Sequence, residues 1–162
     1  MKTKINRTAA AYLLAVKLDA FAEEYDTYDY YDVVENRETV IREIANALLS
    51  GSEYLEDIKA YLQGIIDDDR WYVDRAYDLL RQINEFALQQ LAEKLDDYML
   101  SMGYYEPWEA WQKPEKRVEH IRKDLENRTA THRLYFCLKE DADYGVAGTP
   151  ELLAELNKIL GK

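Results

Sequence analysis

Residues 70–102 read RWYVDRAYDLLRQINEFALQQLAEKLDDYMLSM and contain neither Pro nor Gly. Apolar side chains recur in this run at steps of three and four residues, which places them on one stripe of an α-helix. The stripe contains Ala76, Leu80, Ile83, Ala87, Leu91, Leu95, Tyr98 and Met102, and Leu79, Phe86 and Leu88 widen it. A wide stripe indicates that several neighbouring elements cover the helix. We therefore predict one long central helix at about residues 70–102.

Few helix-breaking residues interrupt the remaining chain, since 162 residues contain only six Gly and three Pro. Helical apolar spacing recurs in residues 8–24, between Asn36 and Ser50, from Ser52 to the acidic run at residues 67–69, and after Pro114 and Thr149. The sequence therefore predicts an all-α bundle of about six to seven helices around the central one. We expect a single domain of residues 1–162 that can be divided into sub-parts 1–103 and 104–162.

Individual residues predict where the helices begin and end. Asn36 is expected to cap the N-terminus of the second helix, and Asp69 that of the central helix. Gly51 is expected to end the second helix in the left-handed conformation. Trp108 and Trp111 are expected to hold the Pro-containing loop after the central helix against the body of the protein.

Two C-terminal segments allow more than one interpretation. Residues 131–140 alternate apolar and polar side chains as a strand does, but no second strand is available to pair with them, so we favour a helix. Residues 113–133 form the most basic region of the chain. This basic segment is a candidate contact surface for a partner, or for the acidic region of a second copy.

The chain carries a formal net charge of -11. Such a surface repels nucleic acid and anionic membranes, and it attracts basic proteins or cations, or simply keeps the protein in solution.

Cys137 is the single cysteine, which excludes an intrachain disulfide and fits the cytoplasm. We expect residues 8–24 to form an amphipathic helix, not a signal peptide, and we find no stretch long and apolar enough to cross a membrane.

No arrangement of residues predicts catalysis. His132 precedes Cys137 by five residues, which places the two about 140° apart around a helix. His120 and His132 lack the spacing of a zinc site, and residues 67–69 lack the ligand series of a calcium loop. The glycine loops that bind phosphates or dinucleotides are absent as well. We therefore expect no enzymatic activity, no metal and no cofactor.

The unusual feature is a region rich in acidic and tyrosine residues. Residues 19–35 contain seven Asp and Glu and no Lys or Arg, and the acidity continues through residues 53–78. Carboxylates three or four positions apart on a helix lie about 5–6 Å from each other at Cβ, which approximates the spacing of a phosphate track. The region is either a solvated face with its tyrosines in the core or a partner-binding surface. The candidate binding residues are Glu23, Glu24, Asp26, Tyr28, Asp29, Tyr30, Asp32, Glu35, Asp67 and Asp68.

Residues 20–68, roughly a third of the chain, resemble a small domain found in proteins of gut-bacterial mobile elements. There the domain recurs in large polyvalent proteins, alongside YodL-like and antirestriction-type domains. The residues that carry the resemblance are Tyr25, Asp26, Tyr28, Tyr30, Asp32, Glu35, Asn36, Arg37, Glu38, Gly51, Tyr54 and Leu55. The resemblance implies a bacterial host and a mobile-element setting, in which small acidic proteins often block host defence nucleases.

Two functions follow as hypotheses. The first is a non-enzymatic inhibitor, similar to an anti-CRISPR protein, that mimics DNA and occupies a basic nucleic-acid channel of a host effector without binding nucleic acid itself. The second is an accessory protein–protein interaction module of a phage or conjugative element. Both place the protein in the host cytoplasm, and the sequence leaves its oligomeric state open.

Overall fold

The protein is all-α, as the sequence predicts. A computed structural model describes the backbone of residues 2–24, 30–68 and 72–162, and the side chains of residues 7–24, 37–68 and 72–162. Within these residues eight helices and no strands occur. The helices are α1 (Lys2–Glu24), α2 (Tyr30–Ser50), α3 (Glu53–Asp67), α4 (Val73–Ser101), α5 (Pro107–Ala110), α6 (Pro114–Glu126), α7 (His132–Asp143) and α8 (Thr149–Leu160). The predicted central helix is α4, and the preference for a helix at residues 131–140 is confirmed by α7.

The chain forms two compact units, Met1–Ala87 (unit 1) and Leu88–Lys162 (unit 2), and α4 contributes to both. The sequence predicts sub-parts that divide at residues 103–104, whereas the compact units divide inside α4. That both units unfold together as one domain stays a prediction.

Ala87 and Met102 were expected in the buried stripe, yet both are exposed. They fall outside the two cores, because the stripe is buried in two separate stretches and not along its whole length.

Unit 1 packs the apolar faces of α1, α2 and α3 with the first half of α4. Its core contains Leu14, Leu18, Phe21, Ile41, Ile44, Leu48, Leu55, Leu62, Ala76, Leu79 and Ile83. Gly51 ends α2 with a φ of +67°, and its N–H donates to the Ala47 carbonyl at 2.8 Å, as expected. The prediction for Asn36 is wrong, since α2 begins at Tyr30 and Asn36 lies inside it. Residues 30–36 contain no Pro or Gly that would interrupt the helix.

Unit 2 packs α6, α7 and α8 with the second half of α4. Its core contains Leu91, Ala92, Leu95, Tyr98, Met99, Val118, Ile121, Leu125, Leu134, Leu138 and Leu156. Trp108 and Trp111 do not hold the loop against this core, because their exposed fractions are 62% and 83%. The expected N-cap of α4, Asp69, lies outside the described residues, and α4 begins at Val73.

Gly64 provides a direct test of the geometry of α3. A Cβ atom added at Gly64 would have no neighbour within 4 Å, and the residue lies inside a regular helix. We expect Gly64→Ala to raise the free energy of unfolding by about 0.5–1 kcal/mol, because Ala restricts the unfolded chain more than Gly does. Urea denaturation followed by circular dichroism measures this change. Gly51→Ala is the matched control and should destabilise, since its φ is positive.

Candidate functional site

The candidate binding residues fall into three groups in the structure. Glu23, Glu24, Asp67 and Asp68 have described side chains. Tyr30, Asp32 and Glu35 lie in the first two turns of α2, where only the backbone is described. The remaining three, Asp26, Tyr28 and Asp29, lie outside the described residues.

Two of these acids, at the C-terminal end of α1, are paired with arginines of other helices. Arg37 Nη1 of α2 lies 2.8 Å from Glu23 Oε2, and Arg75 Nη1 of α4 donates to Glu24 Oε2 at 2.8 Å. Residues 19–35 contain no basic residue of their own, so the sequence run looked uncompensated. Folding supplies the cations from positions farther along the chain. Glu23 and Glu24 therefore contribute less negative potential than the sequence suggests.

Arg37 also binds a buried carboxylate, that of Asp19 on α1. Arg37 Nε donates to Asp19 Oδ2 at 2.8 Å, and the Asp19 side chain is only 1% exposed. Asp19 Oδ1 is buried without a hydrogen-bond partner among the described residues. Burial raises the pKa of Asp19, and the charge of Arg37 opposes this rise. The pair fastens α2 to α1, with Asp19 at the start of the acidic and tyrosine-rich region and Arg37 just after its end.

The outer face of α3 keeps its negative charge. Its exposed acidic residues, which we call the α3 acidic face, are Glu53, Glu56, Asp57, Asp67 and the adjoining Asp68. The opposite side of the helix carries the buried Leu55 and Leu62. Lys59 is the one basic residue of α3, and its Nζ lies 3.5 Å from Glu56 Oε1. Glu53, Asp57 and Asp67 have no ion-pair partner among the described residues, so this face presents carboxylates along roughly 20 Å of helix.

Charge is distributed unequally between the two units. Residues 1–87 contain ten Lys and Arg against eighteen Asp and Glu, a net charge of -8. Residues 88–162 contain eleven against fourteen, a net charge of -3. The negative potential of the protein is therefore concentrated in unit 1, which contains the α3 acidic face.

Unit 2 contains a buried ion pair that sequence reasoning missed. Arg117 was counted in the basic segment, but its side chain is 6% exposed and its Nε donates to Asp96 Oδ1 at 2.9 Å. Arg117 Nη1 donates to the carbonyl oxygens of Ala110 and Gln112, at 3.1 and 2.5 Å. The Tyr105 hydroxyl donates to the same Asp96 oxygen at 2.7 Å. These contacts fasten the loop around α5 to α4 and α6, and no spacing in the sequence predicts them.

A small cleft of about 130 Å³ lies beside this ion pair. Met99, Ile121 and Leu134 form its apolar wall, and Glu109 and Arg133 lie at its polar side. Arg133 Nη1 donates to Glu109 Oε1 at 2.5 Å. Burial acts to raise the pKa of Glu109, but Arg133 and the N–H of Glu106 outweigh it and hold this pKa below its ordinary value. Glu109 is therefore ionised at neutral pH and serves as an ion-pair partner.

A second polar cluster in unit 2 joins α4 and α7. The hydroxyls of Tyr98 and Tyr104 both donate to Asp141 Oδ2, at 2.5 and 2.8 Å. Burial and Asp141 raise the pKa of Tyr98, and burial raises the pKa of the partly buried Cys137. A thiol with a raised pKa is a poor nucleophile at neutral pH, which agrees with a structural role for this cluster.

Within the described residues, no group of three or more His, Cys, Asp and Glu side chains could hold a metal ion. None of the helices described is both long and apolar enough to cross a bilayer.

Comparisons with protein-family models, with curated proteins and with solved structures found no significant match to this chain.

Removal of the Arg37 side chain tests the role of the buried pair. Arg37→Ala leaves the Asp19 carboxylate buried without its cation, and we expect a loss of about 1–3 kcal/mol in the free energy of unfolding, because the Arg37 side chain is itself 44% exposed. Arg42→Ala is the control, because Arg42 and Glu38 form an exposed pair at 3.5 Å; its loss should be about 0.5 kcal/mol or less. Equal losses for the two variants, measured in urea, would show that the Asp19 pair is unimportant.

The pH dependence of stability tests the raised pKa of Asp19. A carboxyl group whose pKa is higher in the folded state stabilises that state below its unfolded pKa, and the contribution is lost as the pH rises through the folded pKa. Relative to Asp19→Asn, the wild type should therefore gain stability as the pH falls from neutral towards about 4. At neutral pH Asp19→Asn should cost little, since Arg37 keeps its contact with Glu23. A difference that is constant with pH in urea titrations would refute the assignment.

Proposed function

We propose that the protein is a non-enzymatic inhibitor that binds the basic nucleic-acid channel of a host defence effector, in the manner of an anti-CRISPR protein. The observation that carries this proposal is the α3 acidic face, a row of exposed carboxylates in the unit with a net charge of -8. Residues 30–35 lie at the start of α2 in the same unit, and the acidic and tyrosine-rich sequence of residues 25–35 includes them. In this proposal they extend the contact surface.

The physical basis is electrostatic complementarity. A channel built for DNA or RNA is lined with Lys and Arg, and carboxylates held on a helix compete with phosphates for these cations. α3 suits this role because its buried leucines fix the helix while its outer face stays in water. The host cytoplasm is where such a channel would be met, and the mobile-element resemblance of residues 20–68 supports the same setting.

Charge reversal on α3 tests the proposal. The probe is target-DNA cleavage by a panel of purified, guide-loaded CRISPR effectors, with wild-type protein expected to inhibit at least one. The double variant Asp57→Lys/Asp67→Lys should lose most of this inhibition, because each reversal replaces an attraction by a repulsion in the channel. Wild-type inhibition should also weaken with added salt, as screening predicts.

The matched control is Glu140→Lys/Asp143→Lys, which makes the same change in net charge on exposed residues of α7. It should inhibit as the wild type does. Failure of the wild type to inhibit any effector, or equal effects of the two double variants, would contradict the proposal. In that case the accessory interaction module becomes the better description, and co-purification with a phage or conjugation protein would support it.

A further inference from the structure

Two large aromatic side chains of unit 2 are exposed on α5 and at its C-terminal end. Trp108 and Trp111 are one helical turn apart, with exposed fractions of 62% and 83%. Burial of an indole is among the largest apolar contributions available to a protein, so leaving two in water forgoes considerable stabilisation. Exposed aromatic side chains that are clustered mark interaction surfaces more often than isolated ones do.

The indoles are not required to hold their own segment in place. Arg117 binds the carbonyl oxygens of Ala110 and Gln112, and it is itself fixed by Asp96. On the other side of the turn, a capping box joins Glu106 and Glu109. The backbone that carries the tryptophans is therefore fixed by polar contacts before any partner binds. A surface that is already ordered loses little conformational entropy on binding.

The segment that carries the tryptophans also contributes to the lining of the cleft in unit 2. Glu109 and Gln112, which directly follow Trp108 and Trp111, both line it. Its volume of about 130 Å³ and its apolar wall suit one aliphatic or aromatic side chain. An anchor side chain in a pocket surrounded by aromatic residues is the usual arrangement of a binding hot spot.

The charges beside the tryptophans indicate what would flank such an anchor. Lys113, Lys116 and His120 are exposed, and their spacing of three and four residues places them on one side of α6. Lys123, the next in this row, is paired with Glu119 at 3.4 Å. Lys113 and Lys116 have no ion-pair partner among the described residues, so their positive charge, two and five residues after Trp111, remains available to carboxylates of a partner.

From these observations we infer that α5, the cleft and the Lys113–Lys116 row form a docking site for a segment of a partner protein. The segment would carry an apolar anchor side chain flanked by Asp or Glu. Single-stranded nucleic acid also stacks on exposed aromatic residues, but its binding requires a groove with many cations along the backbone. Unit 2 has a net charge of -3, so two lysines favour a short acidic peptide over a polyanion.

The experiment is a selection of random peptides displayed on phage against the immobilised full-length protein. We expect enriched sequences to share an apolar residue flanked by acids. Synthetic copies of these peptides should reduce acrylamide quenching of tryptophan fluorescence. Trp108→Ala/Trp111→Ala should weaken their binding by roughly thirtyfold or more, and Lys113→Glu/Lys116→Glu by about two- to fivefold with less dependence on salt.

The control is Leu13→Ala/Tyr77→Ala, which removes two exposed apolar side chains from unit 1 and should leave binding unchanged. Lack of enrichment of such acidic peptides, or acidic peptides that bind the tryptophan variant as well as the wild type, would overturn the inference; basic peptides that bind both proteins equally would be ascribed to α3 and not to this site. Tighter binding of an oligo-dT strand than of the selected peptides would also overturn it, in favour of nucleic acid. Because all test variants lie in unit 2, these results are independent of inhibition through α3.

Discussion

A carboxylate that leaves water must be compensated, and this requirement decides which acids of the chain remain available at its surface. In unit 1 Asp19 is buried, and Arg37 compensates it. In unit 2 Asp96 is buried, and Arg117 compensates it. Each pair joins two helices and is neutral as a whole, because one arginine compensates one buried carboxylate. The excess of carboxylates is therefore left on helices whose apolar side is already covered, and α3 is the clearest case.

The two units use their charges in different ways. Unit 1 has a strongly negative net charge, and its outer acids face water along α3. Unit 2 is close to neutral by comparison, its Arg117 binds inward to the Asp96 carboxylate and to backbone carbonyls, and its Arg133 pairs with Glu109. As a result unit 2 exposes aromatic side chains on a fixed backbone instead of a uniform field of charge. We propose a binding role for each surface, with partners of different chemistry.

Local patterns in the sequence predicted most of the architecture. Apolar periodicity located α4, and the positive φ at Gly51 followed from its position after an apolar helix. Asn36 was misjudged because a good capping residue can also lie inside a helix when nothing upstream interrupts it. The prediction for Trp108 and Trp111 is wrong because Arg117, not the indoles, fixes the backbone of this segment.

The candidate site was predictable only in part, for the same reason. The acidic composition of α3 and its amphipathic spacing can be read directly from residues 53–68. The pairing of Glu24 with Arg75, in contrast, joins residues that are 51 positions apart, and no spacing rule predicts it. Composition therefore indicates the charge of a surface, whereas folding determines which of those charges are compensated.

Carbodiimide labelling of carboxylates, read by mass spectrometry, tests this account most directly because it reports the exposure and reactivity of each acid in the folded protein. Glu53, Asp57 and Asp67 should be modified rapidly, and Asp19 and Asp96 should be protected until the protein unfolds. Addition of an inhibited effector should then protect the α3 acids selectively. Protection of the α3 carboxylates in the free protein, or rapid labelling of Asp19, would contradict the division of charges on which the account rests.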